Sequence, residues 1–283
     1  MLQGGLSLVE LMIAMVIGLI VMAGLAQILL SGRQSYSTQS GVGALQENGR
    51  FATFFLQRDI SKAGFPRTTG PSTGAPTVTP FVVPTLPGTG TFEGVDDAPD
   101  QIEMQFHSDP SAPFSFQDCL GQAARASFAG GCAAGTVDET DPAGDGCVWQ
   151  VTNRYWVQNG SLMCRGVSPA LAYVGDPPGQ QIVRGVESMQ ILYGVDTDND
   201  SYANVYRNAT QVGAANWNSV VSVRVALLLN SQEAVADTAD TQEYALLDAA
   251  PITPVDDAAT AVDELRMRRR VFTTTIEIRN RTE

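Results

Sequence analysis

The sequence predicts an α+β protein in which one long N-terminal helix lies across a mostly antiparallel β-sheet. Three observations predict it. An apolar run from Leu6 to Leu30 passes, without a proline, into an amphipathic segment that reaches Ala63. Later stretches alternate apolar and polar residues with the period of a half-buried strand. Two of them are joined by Asn159-Gly160, the pair that suits a type I′ hairpin turn.

The helix comes first. From Leu11 to Ala26 the chain carries no charged or strongly polar side chain, and Gln27 alone interrupts the run before Leu30. Counted from Leu6, about 25 residues give about 37 Å of helix, enough to cross a bilayer. Glu10 stands near the membrane-facing end, where an unpaired carboxylate costs up to about 2.5–3.5 kcal/mol at the bilayer centre and less at the interface. It needs a partner. A secretory signal would carry a basic start, a shorter core and a cleavage site such as Gly24-Leu25-Ala26, but Met1 to Gly5 contains no Lys or Arg. A plain anchor explains the length and leaves Glu10 unexplained.

Beyond the span, Leu45, Ala52, Phe55, Leu56 and Ile60 fall at three- and four-residue spacings, which leaves Gln46, Glu47, Arg50, Arg58 and Asp59 for the opposite face. Gly64 before Phe65-Pro66 is a stop signal. One helix from Leu6 to Ala63 would be about 87 Å long. Gly32, Gly41, Gly43 and Gly49 each lower helix propensity by about 1 kcal/mol against alanine, so a bend or a melted turn is expected there.

Roughly 215 residues follow, enough to close one sizeable domain. Phe65 to Asp100, rich in Pro, Gly, Thr and Ser, reads as an extended loop with at most short strands. Strand patterns place Ile102, Met104 and Phe106 on one face, then Met189, Ile191, Tyr193 and Val195. Val221, Val223, Val225, Leu227 and Leu229 share another, as do Phe272, Thr274, Ile276 and Ile278. Val148 to Gln158 and Ser161 to Arg165 form the hairpin. Ser231 to Glu264, rich in Ala, Asp and Thr, reads as a surface insertion with some helix.

Gly5 followed by Leu6-Ser7-Leu8-Val9-Glu10 resembles the processing and N-methylation motif of type IV pilins and type II secretion pseudopilins. The resemblance implies cleavage between Gly5 and Leu6 by a prepilin peptidase, methylation of the new amine, and a Glu10 paired with the N-terminal amine of a neighbouring subunit. Such pairing is physically sensible, because a charge pair in apolar surroundings costs less than either charge alone. The leader is short and lacks the usual basic residues. Arg50-Phe51-Ala52, Arg58-Asp59-Ile60 and Ala63-Gly64 are similar to the pattern of the PilW-type minor pilins, whose relatives include J-type pseudopilins. Gly185-Val186-Glu187 with Met189 and Tyr193-Gly194, and Arg268 to Ile276, resemble that family's later strands.

The organisation implied is a leader at 1–5, a spanning half-helix at 6–30, an amphipathic half at 31–64 and a β-rich periplasmic or extracellular domain at 65–283. The function implied is a minor pilin held in the inner membrane, then assembled into a type IV pilus, where it helps initiate assembly near the tip. Its partners would be other minor and major pilins and the prepilin peptidase/methyltransferase. A J-type secretion pseudopilin, or a tip subunit for adhesion or DNA uptake, are the alternatives.

Chemistry beyond assembly has few carriers. Lys+Arg 17 against Asp+Glu 30 leaves a net charge of −13, which argues against nucleic acid as the main partner. The arginines at 266, 268, 269 and 270 are offset by Asp263 and Glu264. The single histidine, His107, has Asp109, Ser111 and Ser115 near it in sequence with nothing to orient a relay, so neither an enzyme nor a small-molecule substrate is expected. No cofactor is required. Cys119, Cys132, Cys147 and Cys164 make an even set in an exported chain, and four cysteines allow three connectivities. Loop closure favours Cys119 with Cys132 and Cys147 with Cys164. Asp196, Asp198 and Asp200, with the Tyr202 carbonyl and Asn204, have alternate-position spacing suited to Ca²⁺. The loop departs from an EF-hand, since Ser201 replaces the turn glycine and Arg207 stands in place of a bidentate glutamate; a solvated acidic turn is the competing reading.

Overall fold

The computed structural model describes residues 7–64, 81, 91–94, 98–108, 118–121, 126–127, 148–167, 179–213, 216–255 and 263–279. Helix α1 runs unbroken over Leu8–Ile60, 53 residues. The expected melted turn is absent from it, and two of the four glycines have another purpose. A Cβ on Gly49 would overlap the ring of Phe272, and one on Gly41 would sit 3.0 Å from Val235 Cγ1. Gly49 lets the helix approach the Phe272 ring, Gly41 leaves room for Val235 just past β8, and packing outweighs their poor helix propensity.

The buried stripe of α1 comprises Gly41, Leu45, Gly49, Ala52, Leu56, Asp59 and Ile60. Asp59 departs from the expected outer face, for reasons given by its partners below. The helix passes into a turn that ends at Gly64, whose φ of 74° suits glycine and whose N–H donates to Gln105 O at 2.8 Å.

The described strands form two antiparallel sheets where the sequence pointed to one. The first contains β1 Ile102–Ser108, β2 Ala126–Ser127, β3 Val148–Gln158, β4 Ser161–Val167 and β5 Gln180–Arg184, in the order β1-β3-β4-β5 with β2 also paired to β3. The second contains β6 Val186–Val195, β7 Val205–Arg207, β8 Val220–Ala234 and β9 Met267–Glu277, in the order β7-β6-β8-β9. A one-turn helix, α2 Ala209–Val212, follows β7. The β3-β4 turn is the expected hairpin, with φ 50° at Asn159 and 64° at Gly160.

Gly185 is the corner between the sheets. Its φ is 75°, its N–H donates to Gly160 O at 2.8 Å, and a Cβ there would lie 2.8 Å from Asn230 O. Only glycine combines that conformation with that approach.

One core serves both sheets and the packed half of α1. It joins Ala52, Leu56 and Ile60 to Ile102, Met104, Tyr155 and Leu162, and to Met189, Ile191, Tyr193, Val223, Val225, Leu227 and Leu229. Phe81, Tyr193 and Trp217 pack edge to face within it, with Tyr193 and Trp217 centroids 4.8 Å apart. Val220, rather than the expected Val221, joins this core, because a register shift between Gly194 and Val195 moves the start of β8 out of simple alternation.

The other face of β8 is not solvated. Ala226 and Leu228 pack with Tyr244 and Leu246 in a second cluster. The described part of the stretch expected as a surface insertion with some helix, residues 231–255, therefore covers the sheet without a helix among its described residues, held by a Tyr244–Ile252 bridge, and a 3₁₀ turn at Glu264–Arg266 leads into β9. Its sequence lacks strong periodicity because it packs through a few anchors.

The cysteine pairing also differs from expectation. Cys119 is bonded to Cys164, with Cα atoms 6.5 Å apart, so neither Cys119–Cys132 nor Cys147–Cys164 forms. Loop-closure entropy varies only slowly with loop length. Placement decides instead: Cys164 sits opposite Tyr155 on β4, and the Cys119 N–H is held by Asn153 Oδ1 at 3.0 Å. Cys132 and Cys147 lie outside the described residues.

Candidate functional site

The functional surface begins at the N-terminus. Ser7 precedes the helix in extended backbone, and Glu10 lies in its first turn. From Leu8 to Leu30 the large apolar side chains are exposed, and the best window has mean hydropathy 2.6, long and apolar enough to cross a membrane. Glu10 is exposed within this apolar surface and is the only charged residue before Arg33. Gly5 and Leu6, the expected processing junction, lie outside the described residues.

The exposed apolar half is continuous with the packed half, so the way α1 is anchored fixes how that half is presented. Asp59 is the polar centre of that anchor. It is 2% exposed and accepts hydrogen bonds from Tyr155 Oη at 2.5 Å, Asn153 Nδ2 at 2.8 Å and Arg58 Nε at 2.8 Å. Burial, the Asp59 charge and its hydrogen bond hold the Tyr155 hydroxyl pKa well above the ordinary value, so Tyr155 stays the donor. Asn153 also receives the Cys119 N–H, which ties the disulfide-bonded segment to the same point. Amphipathic spacing alone could not reveal this role, because a buried carboxylate looks like a solvated one in sequence. The available signal was the Arg58-Asp59-Ile60 run.

The arginine cluster near the end of the chain is dispersed. Arg269, 2% exposed, donates from Nε to Glu187 at 2.8 Å, and its Nη1 lies 3.5 Å from Asp240. Arg266 donates to Ala236 O at 2.8 Å, and Arg270 lies over the Phe272 ring. His107 belongs to β1, while Asp109, Ser111 and Ser115 lie outside the described residues.

Asp196, Asp198 and Asp200 are gathered at one loop, with carboxylate oxygens all within 4.8 Å of one another. Asp196 accepts N–H groups from Asp198 at 3.1 Å, Asn199 at 2.7 Å and Ser201 at 2.9 Å. Desolvation opposes its ionisation, but these bonds outweigh it and lower its pKa. Asn204 Oδ1 accepts from Thr197 N at 2.7 Å, and its Nδ2 donates to Asp198 at 3.2 Å. Asn199 and Ser201 take positive φ, 63° and 71°, so the loop wraps tightly. Tyr202, 74% exposed, marks its outer side. The hydrogen-bonded turn already engages Asn204, one of the five expected ligands, and the donor set is hard oxygen of the kind Ca²⁺ takes.

An exposed apolar half-helix, one carboxylate at its start, and a packed half clamped to two antiparallel sheets define a type IV pilin-like subunit. Residues 1–26 match the model for the prokaryotic N-terminal methylation motif, and residues 150–280 match that of the Type IV Pilus-assembly protein W family, PilW. The two matches, at opposite ends of the chain, support a type IV pilus minor pilin of the PilW type with a general role in pilus assembly. Among solved structures it is similar to a type IV-like pilin from Thermus thermophilus, at 13% identity over 84% of this chain and 98% of that one, with a TM-score of 0.41. It is also similar to a chain of the GspK-GspI-GspJ complex from the type 2 secretion system of enterotoxigenic Escherichia coli, at 13% identity, 66% and 88% coverage and a TM-score of 0.33. No curated protein matches it.

Proposed function

We propose that the chain is cut between Gly5 and Leu6, methylated on the Leu6 amine, held in the inner membrane by α1 with its β-rich domain in the periplasm, and then built into a type IV pilus near the tip, where it helps initiate assembly. The observation that carries this is the isolation of Glu10 in an exposed apolar half-helix that runs without a break into the anchored half. Exposed apolar side chains over that length need lipid or other helices around them. A carboxylate among them favours a cationic partner, and a neighbour's N-terminal amine supplies one. Other minor and major pilins are thus the partners, and the prepilin peptidase the processing enzyme. The organisation is leader 1–5, span 6–30, amphipathic half 31–64 and domain 65–283. A further proposal concerns the 196–204 loop, which takes Ca²⁺ through the three aspartates.

Intact-mass analysis of the protein extracted from membranes tests processing: the expected mass begins at a methylated Leu6. Cleavage after Ala26, or none, would overturn it. Glu10→Ala should insert and fold normally yet be depleted from sheared pili.

A further inference from the structure

β9 is an edge strand: among the described residues it pairs only with β8. Every second residue of an antiparallel edge turns its N–H and C=O away from the sheet, ready for another strand. Beside this edge lies an open groove of about 710 Å³, walled on one side by Phe54, Gln57 and Arg58 of α1 with Lys62 beyond it, and on the other by Thr275 and Arg279 among others. Its end is closed where Arg279 N–H donates to Ser61 O at 3.4 Å.

Two features show what fits. Phe54, which lines the groove, is 57% exposed, so an aromatic shelf lies in its wall, outside the apolar span. Three cations line the walls, Arg58, Lys62 and Arg279, against the single carboxylate of Glu277. Arg58 is engaged by Asp59 at 2.8 Å, whereas Lys62 and Arg279 are exposed and enter no ion pair among the described residues. This is a cationic cleft on a chain of net charge −13. Charges on an edge strand commonly serve only to repel other edges. Here they flank a hollow with an apolar shelf, which a purely repulsive edge does not need.

We propose that this groove receives an extended, carboxylate-bearing segment of a different pilin-family subunit, which adds to the β9 edge, sets its acidic side chains against Lys62 and Arg279, and covers Phe54. Backbone bonding supplies affinity and the flanking charges supply register and selectivity. Two copies of this chain, each at −13, repel one another, so the occupant is another subunit. The proposal rests on the pilus reading above.

The test is a photo-crosslinking residue in place of Thr275 in the full chain, in cells that assemble the pilus, with the same residue at Glu243 as a remote control. The expected product joins Thr275 to an acidic extended segment of another pilin-family subunit, identified by mass spectrometry, and Glu243 gives none. Lys62→Glu with Arg279→Glu should lower the yield several-fold while membrane level and protease resistance stay unchanged, and exchanging the partner's carboxylates for lysine should restore it. A product with a second copy, a product with a non-pilin protein, or a yield indifferent to charge reversal overturns the groove. Absence of the unmodified chain from sheared pili overturns the pilus reading itself. Presence in pili without any Thr275 product overturns the groove alone.

Discussion

Glu187 and Arg269 stand 82 residues apart in sequence and meet through Arg269 Nε at 3.0 and 2.8 Å from the two carboxylate oxygens. Their meeting explains why Gly185-Val186-Glu187 and Arg268-Arg269-Arg270 belong to one architecture. Glu187 follows the corner between the sheets, and Arg269 lies at the start of the edge strand beyond β8. Asn230 Nδ2, from β8 between them, donates to the same carboxylate at 2.7 Å.

The pair predicts a directional loss. The Arg269 side chain is 2% exposed and Glu187 24%, so Arg269→Met, which leaves the Glu187 carboxylate without its cation, should destabilise the domain by about 1–3 kcal/mol. Glu187→Gln keeps an acceptor for Arg269, whose Nη1 also lies 3.5 Å from Asp240, and should cost less. Denaturant unfolding of the full chain in detergent, completed as a double-mutant cycle, should give a coupling above about 1 kcal/mol. Additive losses would count against a direct interaction.

Asp59 makes a second prediction. Asp59→Ala leaves the Tyr155 hydroxyl and the Asn153 amide buried without their acceptor, and each such group costs about 1–3 kcal/mol. The variant should unfold at distinctly lower denaturant, and hydrogen exchange should quicken at the end of α1. Tyr155→Phe, which removes one donor and leaves the carboxylate two others, should show a smaller loss. Equal losses in the two variants would refute Asp59 as the common acceptor.

Asp100 predicts a pH dependence. Burial raises its pKa from 3.8 to about 7; the Gly94 and Ile191 N–H bonds oppose the rise, and the nearby Glu93 and Asp248 charges add to it. The folded chain therefore holds a proton that the unfolded chain releases. The stability linked to that proton is complete below pH 3.8 and is lost as pH rises through about 7. Unfolding free energies between those limits should fall more steeply in the parent chain than in Asp100→Ala. Parallel profiles would refute the shift.

The acidic loop predicts a metal response. Ca²⁺ relieves repulsion among carboxylates held within 4.8 Å, so millimolar-scale Ca²⁺ should raise the melting temperature of the full chain in detergent by ligand linkage. Asp198→Ala should erase the gain and Glu243→Ala should keep it. Identical melting in chelator and calcium would return the loop to a hydrogen-bonded turn.

Periodic signals carried most of the fold into view from sequence. The α1 pattern, the Asn159-Gly160 hairpin and the alternation of Met189 to Val195 report which side chains avoid water, and that depends on neighbours along one element. The N-terminal candidate site is equally local, since a carboxylate before an apolar run needs no tertiary context to be conspicuous. Pairwise facts lie elsewhere. Cys119 chose Cys164 through the register of β3 and β4, because loop entropy barely separates the alternatives. Gly49 proved to be the seat of Phe272 instead of a weak point in a helix, and Asp59 a buried acceptor instead of a solvated charge. Residue type and spacing therefore determined the elements, the membrane-competent helix and its charged start. The division into two sheets, the disulfide and the buried polar partners were decided only when distant segments came together, because such contacts are set by three-dimensional approach, of which a linear pattern keeps no trace.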